Sequence, residues 1–233
     1  MQAVQPHVDP QADIELIYIG DPMCSWCWAF DPVLEKLDER YTFPMRTIVG
    51  GLRPGPSAEA LDDRMRGFLL HHWEEIAERT GQPFDHRQLD REGWVYDTEM
   101  GARAVVTMRD MAPDLTRRFF SRLQRAFYAE VIDITDPAAY PALLSDFDVD
   151  VDVFMTRLAD ESSKQAAWAD FSEARRYSAS GFPTLLVRTG EEHAIVSRGY
   201  APYEGLEPAL TAWLDEREDI TARGLVCEIG EDC

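Results

Sequence analysis

Apolar residues along this chain follow two different periods, separated by turn residues. Ile14 to Ile19 (IELIYI) is a short run of β-branched, aromatic and aliphatic residues. Its length and composition predict a buried strand. Gly20-Asp21-Pro22 breaks it. From Cys24 to about Arg40 the spacing becomes helical, with Phe30, Val33, Leu34 and Leu37 on one face. Pro32 falls inside this helix, where it removes a backbone hydrogen bond. Phe43 to Val49 predicts a second strand, closed by Gly50-Gly51 and the turn-rich Arg53-Pro54-Gly55-Pro56.

Between Ser57 and about Ser178 the pattern is helical. Ser57 is placed as the N-cap of a helix whose inward face carries Leu61, Met65, Phe68, Leu69 and Trp73. Thr98 to Met111 predicts a second helix, and Leu115 to Glu130 a third with Phe119, Phe120, Leu123 and Phe127 as its stripe. Asp136-Pro137 opens a fourth, with proline at the favoured first position. Val151 to Leu158 and Ser162 to Tyr177 complete the block, and its aromatic residues are expected in the core. Strand signals then return. Gly181-Phe182-Pro183 leads into Thr184 to Arg188, Thr189 to Glu192 forms a turn, and Ala194 to Arg198 is the partner strand. Pro202 to Arg217 predicts a last helix. The order is β-α-β, a helical block, then β-β-α. This is an α/β chain with a thioredoxin-type arrangement and an inserted α-helical domain. The expected division is 1–56 with 179–217 as the thioredoxin-like part, 57–178 as the insertion and 218–233 as a tail.

Composition narrows the function classes. A net charge of −20 argues against binding nucleic acid or an anionic membrane, which need a basic face. No apolar run approaches the roughly 18–20 residues of a membrane-spanning helix. Met1 to Asp13 lacks the basic and apolar regions of a secretory signal, so a cytoplasmic location is expected. The four cysteines, Cys24, Cys27, Cys227 and Cys233, sit as two close pairs at opposite ends. In an intracellular chain such pairs are more often redox-active or metal-binding than structural.

Cys24-Ser25-Trp26-Cys27 carries the chemistry. A thiolate attacks a disulfide, and a helix N-terminus favours negative charge through its free N–H groups and macrodipole. Cys24 would sit there as the nucleophile, with Cys27 one turn deeper as the resolving thiol. Ser25 and Trp26 would tune the pair, Ser25 through a weak hydrogen bond and Trp26 through bulk and an apolar contact to substrate. Zinc would need two further ligands, and the histidines His71, His72, His86 and His193 show no ligand spacing, so no metal is expected. No organic cofactor is needed. Pro183 stands between Phe182 and a strand, where a cis Phe182–Pro183 bond would set a donor-free ring beside the cysteines. Phe182 and Pro183 would then shape the substrate groove.

The chain resembles the DsbA family of thioredoxin-fold oxidoreductases, in its intracellular FrnE-like branch. The residues that carry this are Asp21 to Trp28 (DPMCSWCW), Gly50 to Gly55 (GGLRPG), Leu123 to Tyr128 (LQRAFY), Asp133 to Pro137 (DITDP) and Gly181 to Thr184 (GFPT). The resemblance spans roughly 14–215. It implies a helical domain inserted into a thioredoxin fold, a nucleophilic first cysteine and a cis-proline facing it. One departure stands out. Such proteins often carry a buried acid six residues before the first cysteine, and here that residue is Tyr18. Asp21 and Asp31 are the nearest acids, and the plainest expectation for both is a solvated turn or helix position. Cys227 and Cys233 could close a small disulfide or relay electrons to the first pair.

The expected function is therefore dithiol–disulfide exchange on protein or peptide disulfides, with glutathione or a thioredoxin-type protein as electron partner. Two alternatives share the fold: a glutathione-dependent isomerase or transferase, and a redox-sensing adaptor.

Overall fold

The computed structural model describes the backbone of residues 14–227 and the side chains of 14–216. Cys233 and the side chain of Cys227 lie outside the described residues, and with them the expectation of a second redox pair. The strands are β1 Ile14–Gly20, β2 Met45–Val49, β3 Glu59–Ala60, β4 Val95–Tyr96, β5 Thr184–Thr189 and β6 Glu192–Arg198. The helices are α1 Ser25–Arg40, α2 Asp63–Thr80, α3 Glu99–Met111, α4 Thr116–Ala129, α5 Tyr140–Leu143, α6 Val151–Ala159, α7 Glu161–Arg176 and α8 Tyr203–Cys227.

The main sheet has the order β2-β1-β5-β6. β1 runs parallel to β2, with Leu16 opposite Met45 and Gly20 opposite Val49. It runs antiparallel to β5, and β5 runs antiparallel to β6. A parallel pair needs a crossover, and α1 supplies it. The two-residue period of a strand divides β1 between two cores. Ile14, Leu16 and Tyr18 face the larger one, with Phe30, Val33, Leu34 and Leu37 of α1. Ile17 and Ile19 face a smaller one, with Ile48, Leu186 and Ala174 of α7. The helical segment between β2 and β5 shares the larger core: Phe119, Phe120, Leu123 and Phe127 of α4 belong to the same cluster as Tyr18 and Phe30.

Several expectations are corrected here. The helix expected from Ser57 starts at Asp63, because the carboxylate of Asp62 accepts from the Met65 amide at 2.7 Å and caps it. Ser57 instead closes a 3₁₀ turn at Gly55–Ser57, and Glu59–Ala60 pairs with Val95–Tyr96 as a small second sheet. Leu61 is buried but precedes the helix. Phe68, expected inward, is 52% exposed, and Trp168 is 36% exposed, so both leave the expected core. The fourth helix is broken into the 3₁₀ turn Pro137–Ala139, the short α5 and a further 3₁₀ turn. Pro141 lacks the N–H that would close an α-helical bond back to Pro137. α8 continues past Arg217 to Cys227.

A buried ion pair fastens the helical segment to the sheet. Arg109 of α3 donates to both carboxylate oxygens of Asp170 of α7 at 2.8 Å, and to the Thr47 carbonyl of β2 at 2.8 Å. Asp170 also accepts from the Val49 amide at 3.0 Å. Asp170 is 4% exposed, so its replacement strands a guanidinium and a strand amide together. Removing one partner of such a pair costs about 3–5 kcal/mol. Asp170→Ala is expected to lower the unfolding free energy by about 3 kcal/mol in a denaturant titration, at the low end because Arg109 keeps some solvent contact. A loss below about 1 kcal/mol, the worth of an exposed pair, would contradict the clamp.

Candidate functional site

Cys24 is the N-cap of α1, with extended φ and ψ of −91° and 116°. No side chain caps this end, and the first turn carries no acid. The first-turn N–H groups are thus left facing the cysteine end of the helix without a competing carboxylate. Cys24 and Cys27 are both free thiols. Cys24 is 6% exposed and Cys27 is fully buried. Burial pushes the Cys27 thiol well above its ordinary value, and the neighbouring Cys24 sulfur adds to that. The Tyr18 hydroxyl and the Asp21 backbone N–H oppose it.

The Phe182–Pro183 peptide is cis, as expected from the sequence. The Cys24 thiol donates to the Phe182 carbonyl at 3.7 Å, a contact between residues 158 apart in sequence. The Phe182 ring lies over Gly50, where an added Cβ would fall 2.1 Å from it. Gly51 adopts a φ of 72° and would meet Phe171 in the same way. The Gly50-Gly51 pair thus lets the loop after β2 pass beneath the Phe182 ring.

Asp21 departs from its expected solvated role. It is fully buried. Its carboxylate accepts from the Met23 amide at 2.9 Å and the Leu52 amide at 2.7 Å. Burial raises its pKa from 3.8 to about 6, against the lowering effect of the Leu52, Met23 and Thr98 hydrogen bonds. Asp31 is also buried, at 6% exposure, and its carboxylate accepts from Arg117 at 2.6 Å and from the Ser121 hydroxyl at 2.5 Å. Asp31 is therefore already engaged by α4.

Trp26 is half-buried and engaged on several sides. Its indole Nε1–H donates to His72 Nε2 at 3.3 Å. Tyr200 lies against its ring at 5.5 Å, and the Arg79 guanidinium sits 4.9 Å from its centroid. Exposed Phe68 stacks on His72 at 5.0 Å. Phe68, His72 and Arg79 are spaced four and seven apart, which is one helical face. That spacing was readable from the sequence, but nothing in it pointed to Trp26. Ser25 is half-buried at the first position of α1. Among the described residues, no three His, Cys, Asp or Glu side chains come together as a metal set.

This geometry accords with the comparisons. The family model described as a DSBA-like thioredoxin domain matches residues 17–211. The chain belongs to the DSBA-like thioredoxin domain family. Its match reaches from β1 to α8 and spans the helical insertion. A Nitrosomonas europaea structure, provisionally named a protein disulfide isomerase, is 34% identical. It covers 88% of this chain and 98% of its own, with a TM-score of 0.79. The cytosolic disulfide reductase DsbM from Pseudomonas aeruginosa is 21% identical, covers 91% of this chain and 99% of its own, and has a TM-score of 0.70; it shows the shared fold. The ClpXP adapter protein SpxH of Bacillus subtilis is 26% identical over 77% of this chain. That alignment spans 60% of the relative's length. The DSBA-like fold accords with thiol–disulfide oxidoreductases as a class. No helix among the described residues is long and apolar enough to cross a membrane.

Asp21 gives a pH signature with a defined sign. Its folded pKa of about 6 exceeds the unfolded value near 3.8, so the folded state holds the proton more tightly. Stability from this group is present below about pH 4 and is lost as pH rises through 6. Asp21→Asn removes the titration. The unfolding free energy of the natural chain, less that of Asp21→Asn, is expected to fall by about 2 kcal/mol between pH 4 and 7. A difference that stays flat across this range would contradict a buried carboxylate.

Proposed function

We propose that this chain is a thiol–disulfide oxidoreductase acting on protein or peptide disulfides through Cys24 and Cys27. The observation that carries the reading is the pair of free thiols at the uncapped start of α1, with Cys24 beside the Phe182 carbonyl and Cys27 fully buried. Cys24 thiolate attacks one sulfur of a substrate disulfide and expels the other as a thiolate. The product is a mixed disulfide between Cys24 and substrate. Cys27 gives its proton to water, attacks the Cys24 sulfur, forms the Cys24–Cys27 disulfide and releases the substrate sulfur. The reverse sequence oxidises a substrate dithiol. Glutathione or a thioredoxin-type protein would restore the starting state.

Phe182 and Pro183 line the approach to Cys24 and form one wall of the substrate groove in this reading. Trp26, held by His72 and Tyr200, borders the same groove beside Cys24 in this reading. A resolving thiol one turn from Cys24 distinguishes this from a glutathione-dependent isomerase or transferase, which needs no second cysteine.

The name of the Bacillus relatives favours a second reading, an adapter for ClpXP with the cysteines as its redox sensor. Turnover separates the two. With insulin disulfides as substrate and glutathione as reductant, the unaltered chain should turn over and Cys24→Ser should lose turnover entirely. Cys27→Ser should accumulate a mixed disulfide visible by mass spectrometry. No exchange above the rate of free glutathione in the unaltered chain would end the enzymatic reading and leave the adapter one.

A further inference from the structure

Packing alone does not explain Tyr18 of the first strand. Its ring is fully buried and lies against Phe30 at 6.2 Å and Phe120 at 5.4 Å. Phenylalanine would make both contacts. The hydroxyl is buried, and among the described residues no oxygen or nitrogen pairs with it; the Cys27 sulfur is the polar atom beside it. A buried hydroxyl without an oxygen or nitrogen partner costs free energy, so its presence calls for a use.

The surroundings indicate that use. A Cβ on Gly20 would fall 2.4 Å from the Tyr18 hydroxyl and 3.1 Å from the Cys27 sulfur. Both atoms therefore border the one space that glycine leaves open at the end of β1. Ile17 and Ile19 point to the opposite face, and Leu16, on the same face as Tyr18, is apolar, so the Tyr18 hydroxyl is the polar β1 side-chain group beside the sulfur. We infer that the Tyr18 hydroxyl is a catalytic hydrogen-bond donor to Cys27 whose hold strengthens as Cys27 becomes a thiolate. This deepens the proposed function and rests on its assignment of Cys27 as the resolving thiol.

The electrostatics agree in sign. Burial raises the Tyr18 pKa well above its ordinary value, and Cys27, Cys24 and Asp31 raise it further. The phenol thus keeps its proton and acts as a donor, never as a base. On the other side, Tyr18 is the first of the groups that favour the Cys27 thiolate, followed by the Asp21 backbone N–H; burial and Cys24 oppose them. The proton balance is kept by solvent. Cys27 gives its proton to water as it becomes a thiolate, and the released sulfur regains one from water where it is basic enough to hold it; Tyr18 keeps its own proton and holds the charge on Cys27 until the new sulfur–sulfur bond forms.

The test uses 5,5′-dithiobis(2-nitrobenzoate), which releases one coloured thiolate when Cys24 attacks and a second when Cys27 resolves. The full chain carries Cys227→Ser and Cys233→Ser so that no other thiol resolves the adduct. Tyr18→Phe is expected to slow the second release by about tenfold or more, the size of one hydrogen bond to a charged group, and to leave the first unchanged. The pH midpoint of the second phase should move upward. Thermal stability should hold or rise, because both ring contacts survive and a hydroxyl without an oxygen or nitrogen partner is gone. A second phase of unchanged rate and midpoint would overturn the inference, and so would equal slowing of both phases. The reagent needs only a thiol at Cys24, so this result stands apart from the insulin assay: failure there removes the protein substrate, while failure here removes Tyr18.

Discussion

The carboxylate of Asp21 is the constraint on which the site's geometry depends. It sits where β1 ends, and it holds two backbone amides at once: Met23, which leads into the cysteines, and Leu52, just past the Gly50-Gly51 turn. These two amides belong to segments that no strand pairing joins at that point. Without an acceptor between them, the buried Met23 amide and the part-buried Leu52 amide would lose this partner. The cost is a buried carboxylate whose pKa rises to about 6. The gain is a fixed start for α1, and hence a fixed place for Cys24 against Phe182.

The remaining features follow from that fixed start. Once α1 begins at Ser25, Cys27 lies one turn in and beneath the sheet end, where Gly20 leaves room for it beside Tyr18. The Gly50-Gly51 loop then runs under the Phe182 ring, and the Phe182 carbonyl accepts from the Cys24 thiol. α2 closes the outer side by supplying His72 and Arg79 to Trp26. The helical segment contributes in two ways, packing α4 against Tyr18 and fastening α3 and α7 to β2 through Arg109 and Asp170. The proposed redox pair needs its sulfurs held closely in register, and β1, α1 and the Phe182 segment border it.

Local pattern accounts for what the sequence could reveal. β1, α1, β5 and β6 are long enough to show their periods, and the cysteine spacing and Phe182-Pro183 are adjacent in sequence. The two-residue strands β3 and β4 are too short to show alternation. The start of α2 was misplaced because Ser57 and Asp62 are both competent caps, and only tertiary pairing of Glu59 and Ala60 excludes the first. The fourth helix starts as a 3₁₀ turn ahead of Pro141, which the sequence did contain. The burial of Asp21 and Asp31 was hidden for another reason. Their partners, Leu52, Arg117 and Ser121, lie 31, 86 and 90 residues away, and nothing in a carboxylate's own neighbourhood announces such a partner.

The central claim is that Cys24 and Cys27 form one reversible disulfide couple. Its most direct measurement is equilibration of the chain in glutathione buffers of graded potential, followed by acid quenching and peptide mapping by mass spectrometry. The account predicts a Cys24–Cys27 linkage that appears and disappears in a single two-electron transition. Glutathione adducts on Cys24 with no Cys24–Cys27 linkage at any potential would contradict it.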